Sequence, residues 1–284
     1  MRLNRIHRTT ALLILCAIAT VAQTAPRVIS ADGAITETIV ALGASEQLVG
    51  VDTTSHHPPD VVDDLPRVGY LRALPLEGIL SLEPTHLITT EEAGPEKTLE
   101  RVEKAGVDVT QLPVARTPKQ TIQRIRRVGA LVDRSDQAAT LAQRLSEDIQ
   151  RIRNQMASKQ SARVLVLLAA GNHGVMLAGK NTAANALVES LGLTNALDHV
   201  SGYKPASRES FLAAAPDAVI IAEASPGQFK PKEWPALTRL PAWQSGQHLT
   251  ENAMFLLGFG PRLADAMAAL ASVVPEREAT AHAH

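Results

Sequence analysis

From Lys119 to Lys159 the only turn signals are Gly129 and the pair Ser135-Asp136. That stretch restricts the fold more than any other part of the chain. Between Ser135 and Ala157, the residues Ala139, Leu141, Leu145, Ile149, Ile152 and Met156 recur mostly at three- and four-residue intervals, with polar residues at most other positions. The spacing predicts an amphipathic helix of roughly six turns, with Ser135 or Asp136 as its N-cap. On either side, short β-branched runs alternate with helical patterns. RVIS (27–30), LVGV (48–51), HLIT (86–89) and VDVTQL (107–112) precede it; RVLVLLAA (163–170) and AVIIA (218–222) follow. Strands alternating with helices argue for parallel sheets in an α/β fold. A flexible linker would be rich in Gly or Ser, so this connection should be stiff. The expected organisation is an N-terminal α/β lobe at 26–133, a linker helix at 134–160 and a C-terminal α/β lobe at 161–275.

Both ends fall outside that plan. Arg2, Arg5 and Arg8 form a basic start, ALLILCAIATV (11–21) an uncharged apolar core, and Thr20, Ala22 and Ala25 supply small residues. This is the layout of a secretory signal peptide, too short to span a bilayer comfortably. Cleavage is expected after Ala22, giving a leader at 1–22. The one cysteine, Cys16, lies inside that leader, and Leu15 before it is larger than lipid-anchor processing prefers. The exported chain then has neither disulfides nor thiolate metal sites, and needs a core large enough to do without them. Removing three arginines from 28 basic residues leaves 25 against 29 acidic, a net charge of −4. There is no basic run and no aromatic stacking platform, so no nucleic acid is expected. The tail after Pro275, EREATAHAH (276–284), is short and polar and is expected to fray.

The chain repeats part of itself. VGYLRALPLEGILSLEPTHLI (68–88) is echoed by GYKPASRESFLAAAPDAVII (202–221), with Glu77, Leu80 and Pro84 recurring as Glu209, Leu212 and Pro216 at an offset of 132 residues. Tyr70 and Tyr203, the only tyrosines, are 133 apart. Such a repeat implies two Rossmann-like lobes sharing a local unit: a Gly-Tyr loop, a helix starting near the Glu, then Pro and a strand. Equivalent loops on facing lobes would line opposite walls of a cleft.

Candidate chemistry is sparse. GVMLAGKN (174–181) matches the phosphate-loop pattern G-x-x-x-x-G-K, but Asn181 stands where Ser or Thr would hold magnesium, and a Gly-rich turn lining a cleft is the alternative. An exported enzyme using the loop 171–182 would lack its companion residues. No G-x-S-x-G elbow is present, and His56-His57 lies in a proline-rich turn where adjacent side chains diverge. Tyr70 has more informative company. In an extended VGYLR, Tyr70 and Arg72 would share one side. A cation beside a phenol favours phenolate, a hard anionic oxygen suited to ferric iron, and tyrosine is a known axial ligand of ferric haem. The alternative is a loop tyrosine packed on its lobe.

The whole mature chain resembles the periplasmic substrate-binding proteins of bacterial ABC importers with a rigid helical backbone, the class of vitamin B12, siderophore and haem carriers. VGYLRALPLEGILSLEPTHLI, AGKNTAANALVESLGLTNAL (178–197) and LLGFGPRLADAM (256–267) together are similar to its haem-binding branch. The resemblance implies a periplasmic protein, not an enzyme, that carries haem between its lobes. It implies Tyr70 as iron ligand, Arg72 supporting the phenolate or meeting a propionate, and Arg262 reaching the haem from the second lobe. Arg262 has an alternative as a helix N-terminal arginine in solvent. Tyr203 and Lys204 would line the cleft, Lys204 pairing with a propionate; His173 would face the haem; Met176 and Leu177 would pack on the porphyrin. Glu77 and Glu209 would dock on an inner-membrane ABC permease with its ATPase subunits, with an outer-membrane haem receptor upstream. A ferric siderophore or cobalamin is the alternative cargo, though few aromatics count against cobalamin.

Overall fold

The structure, a computed structural model, describes residues 25–159, 161–171 and 174–276. The expected leader at 1–22, His173 and all but Glu276 of the expected tail lie outside the described residues. Among the described residues, ten strands form two sheets. β1 (Val28–Ala31), β2 (Leu48–Val51), β3 (His86–Thr90) and β4 (Asp108–Leu112) make the first, parallel throughout, in the order β2-β1-β3-β4. β5 (Arg163–Ala169), β6 (Val175–Ala178), β7 (Thr194–Asn195), β8 (Tyr203–Pro205), β9 (Ala218–Glu223) and β10 (His248–Asn252) make the second. Its path is β10-β9-β5-β6-β8, with β7 beside β5.

Central strands read as continuous apolar runs because both faces are covered. VISA in β1 and AVIIAE in β9 are buried at every position. In the second sheet the parallel set β5, β9 and β10 carries an antiparallel edge of β6 and β8. The reversal follows from chain length: β5 ends at Ala169 and β6 begins at Val175, and the Ala170 amide donates to the Gly174 carbonyl at 3.1 Å. A parallel return would need a crossover of a dozen residues or more.

The linker helix runs Ser135–Gln155. Neither Ser135 nor Asp136 is its N-cap; Arg134 is, without a side-chain cap. The preceding turn, with Asp133 at φ +55, leaves Ser135 already helical. The buried stripe is Ala138, Ala142, Leu145, Ile149 and Ile152, so Ala139 points outward and its neighbour Ala138 inward. Gly129 is no turn. It lies inside the helix Pro118–Leu131, where a Cβ would come within 2.3 Å of the Ala138 Cβ, so its absence lets the two helices approach closely.

One apolar core runs through the linker helix into both lobes. It joins Ile35 and Ile39 to Leu145, Ile149 and Ile152, and these to Val164, Leu263 and Leu270. The lobes therefore share packing rather than hanging from a tether.

Candidate functional site

In an open α/β sheet, ligands sit outside the carboxyl ends of the strands, where strand order reverses direction. In the first lobe that edge is built from three loops. After β2 the chain returns to Gly69, whose φ of +97 suits glycine and whose carbonyl accepts the Thr53 amide at 2.9 Å. Tyr70 follows in extended backbone, then Leu71–Ala73 form a single 3-10 turn. Buried Leu71 and Leu74 anchor this turn, while the Tyr70 side chain is left 43% exposed. The turn is tied to the loop after β3: the Gly94 amide donates to the Leu71 carbonyl at 2.9 Å, and the Leu74 amide to the Gly94 carbonyl at 2.8 Å.

That backbone clasp brings Arg72 against Glu92, and the two form an ion pair. Glu92 Oε1 also accepts from Arg116 Nη2 at 3.2 Å. Arg116 ends the loop after β4, which is fixed on both sides. The Val114 amide donates to Glu91 Oε1 at 3.1 Å, and the Arg116 amide to Gln120 Oε1 at 2.9 Å. Thr117 then caps the helix Pro118–Leu131. The Arg72 guanidinium is held above its ordinary pKa chiefly by its hydrogen bond to Glu92, against burial, with smaller contributions from Tyr70. Tyr70 and Arg72 are thus neighbours, but through a tight turn and not through period-two extension.

The opposite wall is different in kind. Tyr203 opens β8, pairs with Ala178, and packs half-buried against the shared core. Burial pushes its phenol up; the Arg116 charge and a hydrogen bond with Thr182 act the other way, and Glu92 adds to the rise. Arg116 and Glu92 belong to the first lobe, so their influence reaches Tyr203 across the cleft. The repeat aligns Glu77 and Glu209, each exposed and second in its helix, Leu76–Leu80 and Arg208–Ala214. It does not align the tyrosines, one before a 3-10 turn and the other in a strand.

Period two also separates residues grouped by the sequence. In the ladder Leu177 faces Lys204, and Met176 faces Pro205. Tyr203 and Met176 therefore share one face of the sheet, and Lys204 and Leu177 the other. Leu177 is buried in the second-lobe core with Phe211, which removes it from the cleft wall and turns the exposed Lys204 away from Tyr203. Arg262 is engaged as well: it forms two hydrogen bonds to Glu37, at 2.9 and 2.5 Å, and lies 5.1 Å from the Phe255 ring centroid. The stretch GVMLAGKN contains β6, paired on both sides by β5 and β8. Its backbone is spent on the ladder, so it forms no cradle for a phosphate. Thr182 caps the helix Ala183–Ser190 instead. Among the described residues no three His, Cys, Asp or Glu converge to hold a metal ion.

Glu92 and Arg116 were not picked out by sequence reasoning. Each lies in a loop at the carboxyl end of a parallel strand of the first lobe, Glu92 after β3 and Arg116 after β4, which is the signal that would have found them.

A family model described as "Periplasmic binding protein" matches residues 28–250. The fold is that of a periplasmic haem-binding protein from Pseudomonas aeruginosa, with a TM-score of 0.78 and 33% identity over 88% of this chain and 92% of that one. It is also that of the periplasmic haem-binding protein RhuT from Roseiflexus sp. RS-1 in apo form, with a TM-score of 0.79 and 31% identity over 88% of this chain and 100% of that one. In sequence the chain is 28% identical over 211 residues to the vitamin B12-binding protein of Pectobacterium carotovorum subsp. carotovorum (strain PC1), covering 74% of this chain and 75% of the relative.

Proposed function

We propose that this chain, which belongs to the periplasmic binding protein family, captures ferric haem between its two lobes and delivers it to an ABC importer in the inner membrane. The family and its structural neighbours are substrate-binding transport proteins. The observation that carries the haem reading is the 43%-exposed Tyr70 phenol at the carboxyl edge of the first sheet, with Arg72 beside it. An accessible tyrosine oxygen is a donor that ferric haem takes as an axial ligand. Two solved neighbours described as haem-binding proteins support the same cargo.

Tyr203 serves differently. Burial raises its pKa, so it stays a neutral phenol that lines the pocket with Met176 and leaves the iron to Tyr70. Glu77 and Glu209, one exposed carboxylate per lobe, are the docking points for the permease. An N-terminal leader at 1–22 exports the chain to the periplasm, downstream of an outer-membrane receptor.

Vitamin B12 is the second reading, favoured by the curated relative named for that ligand. Against it, both tryptophans are engaged inside the second lobe, Trp234 edge-on to Phe211 at 5.7 Å and Trp243 stacked on His248 at 4.0 Å. Neither tryptophan is therefore offered as a broad aromatic wall for a corrin.

Titrating the exported chain with hemin and, separately, with cyanocobalamin decides between them. Hemin is expected to give a saturable visible spectrum that Tyr70→Phe alters and Tyr203→Phe leaves in place. Binding of cyanocobalamin but not hemin would overturn the haem reading, and an unchanged Tyr70→Phe spectrum would remove Tyr70 as the ligand.

A further inference from the structure

We infer that Glu92 is a brace that holds Arg72 and Arg116 together as a paired receptor for the two carboxylates of a porphyrin. The inference rests on the haem reading and adds to it a residue pair and a role for the acid between them.

Two guanidinium groups near each other repel, and long arginine side chains on separate loops would diverge. Here both are drawn to one carboxylate. Glu92 Oε2 accepts from Arg72 Nη2, and Oε1 from Arg116 Nη2. The backbone of each loop is fixed independently, by Leu71 and Leu74 on Gly94 and by Arg116 on Gln120. The geometry therefore does not depend on the ion pairs alone. Each guanidinium has five N–H donors, and the brace engages one nitrogen of each. Ample donors remain for a ligand, in the planar fork that matches carboxylate oxygens. Within this triad two cations against one anion leave a net positive charge of one.

The placement also says which groups do not share the task. Arg262 is committed to Glu37, and Lys204 faces the other side of its strand. Arg116 is near enough to Tyr203 for its charge to lower that phenol's pKa, and through Glu92 it is joined to Arg72, two residues from Tyr70.

Hemin and hemin dimethyl ester separate carboxylate recognition from iron ligation, since the ester keeps the iron and loses both charges. Arg116→Gln and Glu92→Gln are each expected to weaken hemin binding about tenfold, a cost of about 1.4 kcal/mol, while leaving the ester unchanged. The double variant should weaken hemin binding by less than the two single changes combined, because part of the effect of Glu92 runs through Arg116 and the rest through Arg72. Arg116→Lys should recover part of the loss. Tighter or unchanged hemin binding by Glu92→Gln would overturn the brace, and so would equal weakening of hemin and ester. If the wild-type chain does not bind hemin at all, the haem reading itself falls; if it binds and the variants match it, only the brace falls.

Discussion

Arg262 and Glu37 join the two lobes through a two-pronged ion pair, Nε to Oε2 at 2.9 Å and Nη2 to Oε1 at 2.5 Å. Glu37 belongs to the first-lobe helix Gly33–Ala41, and Arg262 precedes the second-lobe helix Leu263–Val273. Nearby, buried Arg124 of the first lobe donates to the carbonyls of Gly258 and Phe259 at 3.0 and 2.7 Å. The seam between the lobes is thus cross-linked by charge as well as by the shared core.

Removing one partner of this pair leaves the other charge desolvated without compensation. Glu37→Ala is expected to lower stability by about 3 kcal/mol, read as a shift in the urea midpoint. Arg262→Ala should be destabilising too, yet should leave hemin affinity within about twofold, since its guanidinium is held by Glu37 rather than offered to the ligand.

Gly260 lies buried at the same seam. A Cβ there would stand 3.2 Å from the Ala34 Cβ and 3.4 Å from Glu37 Oε2. Gly260→Val, which adds branches into that space, should cost about 1–3 kcal/mol and lower the melting temperature. A melting temperature equal to wild type would show that the lobes can part without cost.

Glu77 and Glu209 are exposed and make no ion pair among those described, so substituting them should change stability by less than about 0.5 kcal/mol. With both changed to Lys, hemin affinity should be retained while stimulation of the reconstituted importer's ATPase is lost. Retained stimulation would remove them as docking points.

Asp52 is fully buried and accepts from the hydroxyls of Thr54 and Ser55 at 2.8 to 2.9 Å. Burial raises its pKa above the ordinary 3.8, the two hydroxyl hydrogen bonds opposing. A carboxyl whose folded pKa is raised binds its proton more tightly in the folded state. Its stabilising contribution is therefore complete below 3.8 and is lost as pH rises through the raised value. Asp52→Asn removes that titration. Its melting temperature relative to wild type should accordingly improve between pH 4 and pH 7, and a difference constant with pH would contradict this.

Much of the architecture was legible because periodicity reports burial directly. The run LVGV became β2 with those bounds, and RVLVLLAA became β5 nearly whole. The amphipathic pattern from Ser135 to Ala157 became the helix Ser135–Gln155, while the turn-free stretch before it formed a second helix, Pro118–Leu131. Errors arose where one residue of offset changes a face: Ala139 for Ala138 on the helix, Leu177 and Lys204 with Met176 and Tyr203 on the ladder. Tyr70 and Arg72 were picked out by their residue types, their two-residue spacing and the resemblance of the segment around them.

What the sequence determined by itself was therefore the elements, their order and the tyrosine worth testing, since these depend on local spacing. The tertiary structure alone decided which charges meet. Arg72, Glu92 and Arg116 come from three separate loops, and Glu37 and Arg262 lie 225 positions apart. A carboxylate's choice between two arginines depends on distances of a few ångströms, which exist only once the strands are paired and the lobes packed together.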